Sequence, residues 1–190
     1  MGTIQDNTEE KRGPRDGRGE SEATMEAADF LLTRRVRQNH ALEHATVTIL
    51  ANKLPGLSVS ARSNTRGFTI FADIDPALVR RCAGEALARL RAGEAELAIH
   101  PNCGTNLAVG MSLAMIGSLW SLTAMRPRTR VASALASSVA GAMAARPLGS
   151  LAQKYFTTLP DLADVRVLDV RTRNLFGRRV VEILTGSIER

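Results

Sequence analysis

The sequence predicts an α+β fold: an antiparallel sheet of two β-hairpins, two helices packed on it, and an inserted hydrophobic helical hairpin. Three observations predict it. Leu57 to Ile74 and Val165 to Leu184 each alternate apolar and polar residues on either side of a glycine-containing turn, the period of half-buried strands. Glu26 to Leu54 and Asp75 to Arg91 repeat apolar residues at helical spacing. Between the two strand pairs, no Asp or Glu occurs from Leu97 through Pro160, a composition that suits lipid better than a solvated loop.

In chain order, residues 1–25 are polar and almost free of apolar side chains, which reads as a disordered tail. Residues 26–103 form the first α+β region. On its first helix Leu31, Leu42, Ala45 and Ile49 line one side, and Val36, His40, Glu43, His44, Val47 and Ala51 the other. A helix apolar on both sides is buried on both sides. Pro55-Gly56 stops it. The next strands turn at Ser63-Asn64-Thr65-Arg66-Gly67, and Asp75-Pro76 starts a second helix as N-cap and first residue. Leu78, Val79, Cys82, Ala86 and Leu90 form the apolar stripe of that helix, which makes Cys82 a buried core residue.

Residues 104–152 read as the hydrophobic hairpin. Gly104 to Met125 carries no charge and as a helix would be about 33 Å long, matching a bilayer core. Arg126, Arg128 and Arg130 follow, then the uncharged run Val131 to Ala145. Gly110, Ala114 and Ser118 recur every four residues, as do Ser137, Gly141 and Ala145, a spacing that lets helices approach closely and offers faces for homo-oligomers. The implied partner is membrane lipid. Arginines flank both sides: the loop arginines favour a cytoplasmic loop, while Arg34, Arg35 and Arg37, with no signal peptide in view, favour a cytoplasmic N-terminal region. Residues 153–190 supply the second strand pair, turning around Asn174 to Gly177.

Lys and Arg outnumber Asp and Glu by 25 to 19. One Trp, one Tyr and no basic helix face with interleaved aromatics argue against a nucleic-acid partner. Two cysteines cannot staple a small secreted domain.

The chemistry concentrates in two motifs. In Asn39-His40-Ala41-Leu42-Glu43-His44-Ala45, the two histidines and the glutamate stack on one helical face. Two imidazoles there can grip one metal ion, with the carboxylate beside them as general base. The chain's third histidine lies in Ile99-His100-Pro101-Asn102-Cys103-Gly104-Thr105-Asn106. His100 and Cys103, three apart across a Pro-Asn turn, are the best further ligands, and imidazole with thiolate suits zinc. Gly104 would allow a tight exit into the hydrophobic helix, capped by Thr105 or Asn106.

The His-x-x-Glu-His order resembles the signature of the inverzincin metallopeptidases. The resemblance implies zinc on His40 and His44 and Glu43 as general base. That family takes its third ligand from a glutamate on a later helix, a region that here holds no acid, so another residue must serve. The pattern over residues 35 to 185 also resembles an uncharacterised family of small bacterial proteins. Their features are an N-H-A-L-E-H-A helix, a G-F hairpin, an H-P-x-C-G-T-N motif and a following hydrophobic hairpin. That resemblance implies the architecture and no activity.

Three functions remain open on the sequence. Four ligands would close a structural or sensory zinc site, with Glu43 outside the coordination sphere. Three would leave a place for water and a membrane-tethered, peptidase-like hydrolase. Without metal, the histidines are hydrogen-bonded struts of an interaction module.

Overall fold

The computed structural model describes residues 17–175 and 177–188, with side chains from residue 33 onward. The polar tail expected over residues 1–25 therefore lies, for residues 1–16, outside the described residues. Helix α1 spans Gly17–Lys53, so its backbone starts at Gly17 instead of near Glu26.

Strands β1 (Ser60–Asn64) and β2 (Gly67–Phe71) form the first hairpin. Helix α2 (Pro76–Arg91) follows, with the Asp75 carboxylate accepting from the Ala77 amide at 2.9 Å. A 3-10 turn, Ala95–Ala98, leads into the His100 segment. Then come α3 (Gly104–Ala124), α4 (Arg130–Ala152) and a π-helical turn, Gln153–Thr157. Strands β3 (Val165–Leu175) and β4 (Arg178–Ser187) close the fold; both run longer than the expected Val165–Val170 and Arg179–Leu184.

The two strand pairs join in one antiparallel sheet of order β1-β2-β4-β3. Phe68 stands opposite Ile183 and Ile70 opposite Val181. Gly67 sits at the junction with φ +147°. The Ile183 backbone fills the space where a Cβ would go, so no other residue fits there without opening the sheet. One sheet face receives α1 and α2. The core between them holds Leu42, Ile49 and Leu50 from α1, Phe68, Ile70 and Ile183 from the sheet, and Val79 and Cys82 from α2. Cys82 is buried among them, and its apolar surroundings raise its pKa.

Helices α3 and α4 are both long and apolar enough to cross a membrane. They expose apolar side chains outward, Met115 at 67%, Trp120 at 66% and Met143 at 76%. Polar and small residues face inward. Ser118 and Ser138 hydroxyls meet at 2.9 Å, Ser121 and Ser137 at 3.2 Å. A Cβ on Gly141 would lie 2.8 Å from Ala114 Cα, and one on Gly110 would lie 2.6 Å from Ala145 Cβ. The small residues at four-residue spacing thus pack the two helices against each other.

The packing makes opposite demands on two helical glycines. Gly141→Val should destabilise the hairpin by about 1–3 kcal/mol through overpacking. Gly84→Ala, in α2 where a Cβ meets nothing within 4 Å, should stabilise by about 0.5–1 kcal/mol. Thermal unfolding of the detergent-solubilised protein checks both signs.

Candidate metal centre

The centre begins on α1. Helical spacing places His40, Glu43 and His44 on one face, and the fold fixes each ring from outside. His40 Nδ1 donates to the Thr157 carbonyl at 3.0 Å, and His44 Nδ1 donates to the Ala98 carbonyl at 2.7 Å. A carbonyl oxygen only accepts, so Nδ1 carries the proton in each ring. The neutral imidazoles then keep their lone pairs on Nε2. This is how metal-binding histidines are commonly oriented, by a hydrogen bond on the far nitrogen.

Cys103 completes the group. It is the N-cap of α3, with its sulfur accepting from the Thr105 amide at 3.4 Å. The same sulfur lies 3.4 Å from His40 Nε2. The expected cap, Thr105 or Asn106, is displaced by this thiol. Gly104 is simply the first helical residue, with open space at its Cβ position. His40, His44 and Cys103 each offer a donor atom within 4.8 Å of the others. Bonds of about 2.0–2.3 Å to one tetrahedral ion put neighbouring donors roughly 3.5 Å apart. The three residues therefore form a group that can hold a metal ion.

His100 stands beside this group and outside it. Its ring centroid is 5.8 Å from that of His44. Its Nδ1 accepts from the Asn102 amide at 3.2 Å, which leaves the neutral ring's proton on Nε2. Glu43 is buried and accepts a short hydrogen bond from the Ser63 hydroxyl. Glu43, both histidines of α1, His100 and Cys103 line one cavity of about 840 Å³. Val36, Val47, Ala51 and residues 56–63 wall it on one side, and Asn102, Gly104 and Thr105 flank the cysteine.

Several supporting residues carried no signal in the sequence. Gln153 is fully buried; its Oε1 accepts from the His100 amide at 2.8 Å. Its Nε2 reaches the His100 carbonyl at 3.1 Å and Asn106 Oδ1 at 2.6 Å, so one side chain clamps the Cys103 loop and the first turn of α3. Arg37 donates to the Tyr155 carbonyl at 3.0 Å and to that of Thr158 at 3.3 Å. It thereby holds the π-helical turn that presents Thr157 to His40. These partners lie more than a hundred residues from Arg37, beyond the reach of any local motif.

The charges respond to this enclosure. Burial opposes ionisation of Cys103, but hydrogen bonds with His40, His44 and Thr105 outweigh it and bring the thiol down to about 5. Burial works against the cationic form of His40, yet its bonds to Cys103 and Thr157 leave its pKa raised. Burial raises Glu43 against the opposing pull of Ser63, and burial lowers His100.

Fold and site together define an α+β protein with a His/His/Cys group at the foot of a long apolar helical hairpin. The chain belongs to the domain family described as a domain of unknown function, DUF6391, which matches residues 35–170. It is 38% identical over 135 residues to an uncharacterised protein of Picosynechococcus sp.. That match covers 65% of this chain, and the chain spans 65% of the relative's length. No solved structure matches it at a significant level.

Cys103 offers a direct check of the geometry in metal-free protein. Its alkylation rate should rise with a midpoint near pH 5, while Cys82 should stay inert until unfolding. The thiol pKa is depressed in the fold. Its contribution to stability is therefore complete above the unfolded value near 8.5 and lost as pH falls through about 5. His40→Ala should move the midpoint upward, measured by mass spectrometry of the labelled peptide.

Proposed function

We propose that this protein is a membrane-anchored, zinc-dependent hydrolase in which His40, His44 and Cys103 hold the metal and Glu43 handles the proton. The observation that carries the reading is the convergence of these three donors on a cavity that Glu43 also lines. Two imidazole nitrogens and a thiolate suit zinc, and three protein ligands with one open position are the pattern of catalytic sites. A closed structural site needs a fourth ligand. His100, the remaining histidine, turns its Nδ1 to the Asn102 amide.

When bound, zinc supplies Lewis acidity at the open position. The chain's own groups do the rest. Glu43 accepts the proton as water adds to an amide or ester carbonyl carbon. It then returns that proton to the leaving nitrogen or oxygen as the carbonyl bond to it breaks. Ser63 holds the carboxylate through its hydrogen bond to Oε2. Thr157 and Ala98 hold the imidazoles.

The hairpin spans a bilayer in this reading. Arg126, Arg128 and Arg130 mark one face of the membrane. Exposed Lys154, Tyr155 and Phe156 mark the other, as basic and aromatic residues do at interfaces. Cys103 immediately precedes α3, so the site lies at the membrane surface.

Purified protein in nanodiscs should contain about one zinc per chain by elemental analysis. His40→Ala, His44→Ala and Cys103→Ala should each lose it, and His100→Ala should keep it. Glu43→Gln should keep zinc and lower hydrolysis of fluorogenic peptides and p-nitrophenyl esters by about 10²–10⁴-fold. Metal loss in His100→Ala would favour the closed, non-catalytic site instead. Partition of the full-length protein into the aqueous phase without detergent would remove the membrane assignment.

A further inference from the structure

The cavity has a wall that the proposed chemistry does not use. Eight consecutive residues, Gly56 to Ser63, line it, and the last four, Ser60 to Ser63, belong to β1. Side chains on a strand point alternately to opposite faces, so a sheet face would contribute every second residue. An unbroken run is the mark of a strand edge. Strand β1 is that edge: it pairs only with β2, at one end of the order β1-β2-β4-β3.

The register says which groups are left open. Thr65 and Arg66 form a two-residue turn, and Asn64 pairs with Gly67 across it. A turn that short closes on a mutually hydrogen-bonded pair, and bonded pairs alternate along an antiparallel ladder. Asn64 and Arg62 thus bond to β2, whereas Ala61 and Ser63 aim their N–H and C=O groups away from it. Among the described residues, no backbone hydrogen bond meets these outward groups. The opposite edge of the sheet is treated differently. Strand β3 carries a bulge between Val167 and Asp169, and α2 covers two of its carbonyls. Arg80 donates to Val170 at 3.4 Å and Arg91 to Val165 at 2.5 Å. Bulges and covering groups are the usual means of closing an edge. Among the described residues, strand β1 has neither.

We infer that β1 receives an extended polypeptide segment as an added strand, and that this segment is the substrate of the neighbouring site. The inference rests on the proposed hydrolytic reading for its last clause only. Ser63 links the two parts directly, since its hydroxyl holds Glu43 while its main chain belongs to the open edge. A chain laid along Ala61 and Ser63 therefore runs past the Glu43 carboxylate. Main-chain pairing supplies affinity with little demand on sequence, and the cavity wall at Val36 and Val47 takes alternate side chains.

The test is photocrosslinking of the full-length Glu43→Gln protein in nanodiscs with randomised eight-residue peptides bearing one benzophenone residue. Crosslinks should concentrate on residues 58–63. N-methylation of alternate peptide bonds in the probe, which removes strand donors without touching the protein, should cut labelling at least tenfold. Ala61→Pro removes one outward N–H at a place where an edge strand tolerates proline. It should lose the labelling and keep the zinc. Labelling indifferent to N-methylation, or centred on the apolar faces of α3 and α4, overturns the inference. The crosslinks do not require turnover, so zinc bound without crosslinks sinks this inference alone. Crosslinks without zinc sink the hydrolase alone.

Discussion

Helix α1 buries Gln38, Asn39, Glu43 and His44 almost completely, and the need to satisfy those polar side chains organises everything around it. An unpaired buried polar group costs about 1–3 kcal/mol, and each of these side chains finds a partner outside the helix, although the Gln38 Oε1 itself meets none among the described residues. Gln38 reaches the Asp161 carbonyl and Asp164 ahead of β3. Asn39 bonds to the Asn64 carbonyl on β1 and accepts from Thr185 on β4. Glu43 takes Ser63, and His44 takes the end of the 3-10 turn. The helix is thus a polar spine that ties β1, β4, the approach to β3 and the 3-10 turn to one another. Its opposite side, with Leu42, Ile49 and Leu50, contributes to an ordinary apolar core.

The donor group inherits its precision from this arrangement. His40 and His44 sit on one rigid helix, but their far nitrogens are pinned by carbonyls from the π-helical turn and the 3-10 turn. Both turns are short, irregular and next to the hairpin. Cys103 comes from a third place, the first cap of α3, and Gln153 locks that cap to the end of α4. A π-helical turn places its carbonyls where an α-helix would not, and such turns often occur at functional sites. Here the irregularity has a visible use, because it is Thr157 within it that orients His40.

Much of this was legible in the amino-acid order, and the rest was hidden for identifiable reasons. The α+β class, the hairpin turns, the Asp75 cap and the apolar stripe of α2 follow from local periodicity and turn chemistry, and the structure has them. The His40, Glu43 and His44 face was legible because helical spacing fixes it once the helix is known. Cys103 was legible as a donor type, though not as a cap, since sulfur is a less usual capping group than hydroxyl or amide oxygen. His100 looked equivalent to the other histidines by type alone; only the Asn102 amide, a matter of loop geometry, sets it apart. Gln153 and Thr157 were invisible, because their roles depend on how a hairpin of some fifty residues returns to its starting point. The early start of α1 was missed because a polar helical segment without an apolar stripe resembles a polar tail.

The order of strands has a consequence for how the molecule is made. Strand β4 lies inside the sheet between β2 and β3, although it follows both in the chain. During synthesis, the β1-β2 pair and α1 emerge first, and the inner side of β2 stays uncovered while the whole of α3 and α4 is produced. The hairpin closes through nearby contacts, which form early. The sheet waits for a partner more than a hundred residues away, and an exposed strand edge attracts unwanted pairing in the meantime. Insertion of the hairpin into lipid would shorten that hazard by bringing β4 back to the foot of the helices, beside the half-built sheet it must complete.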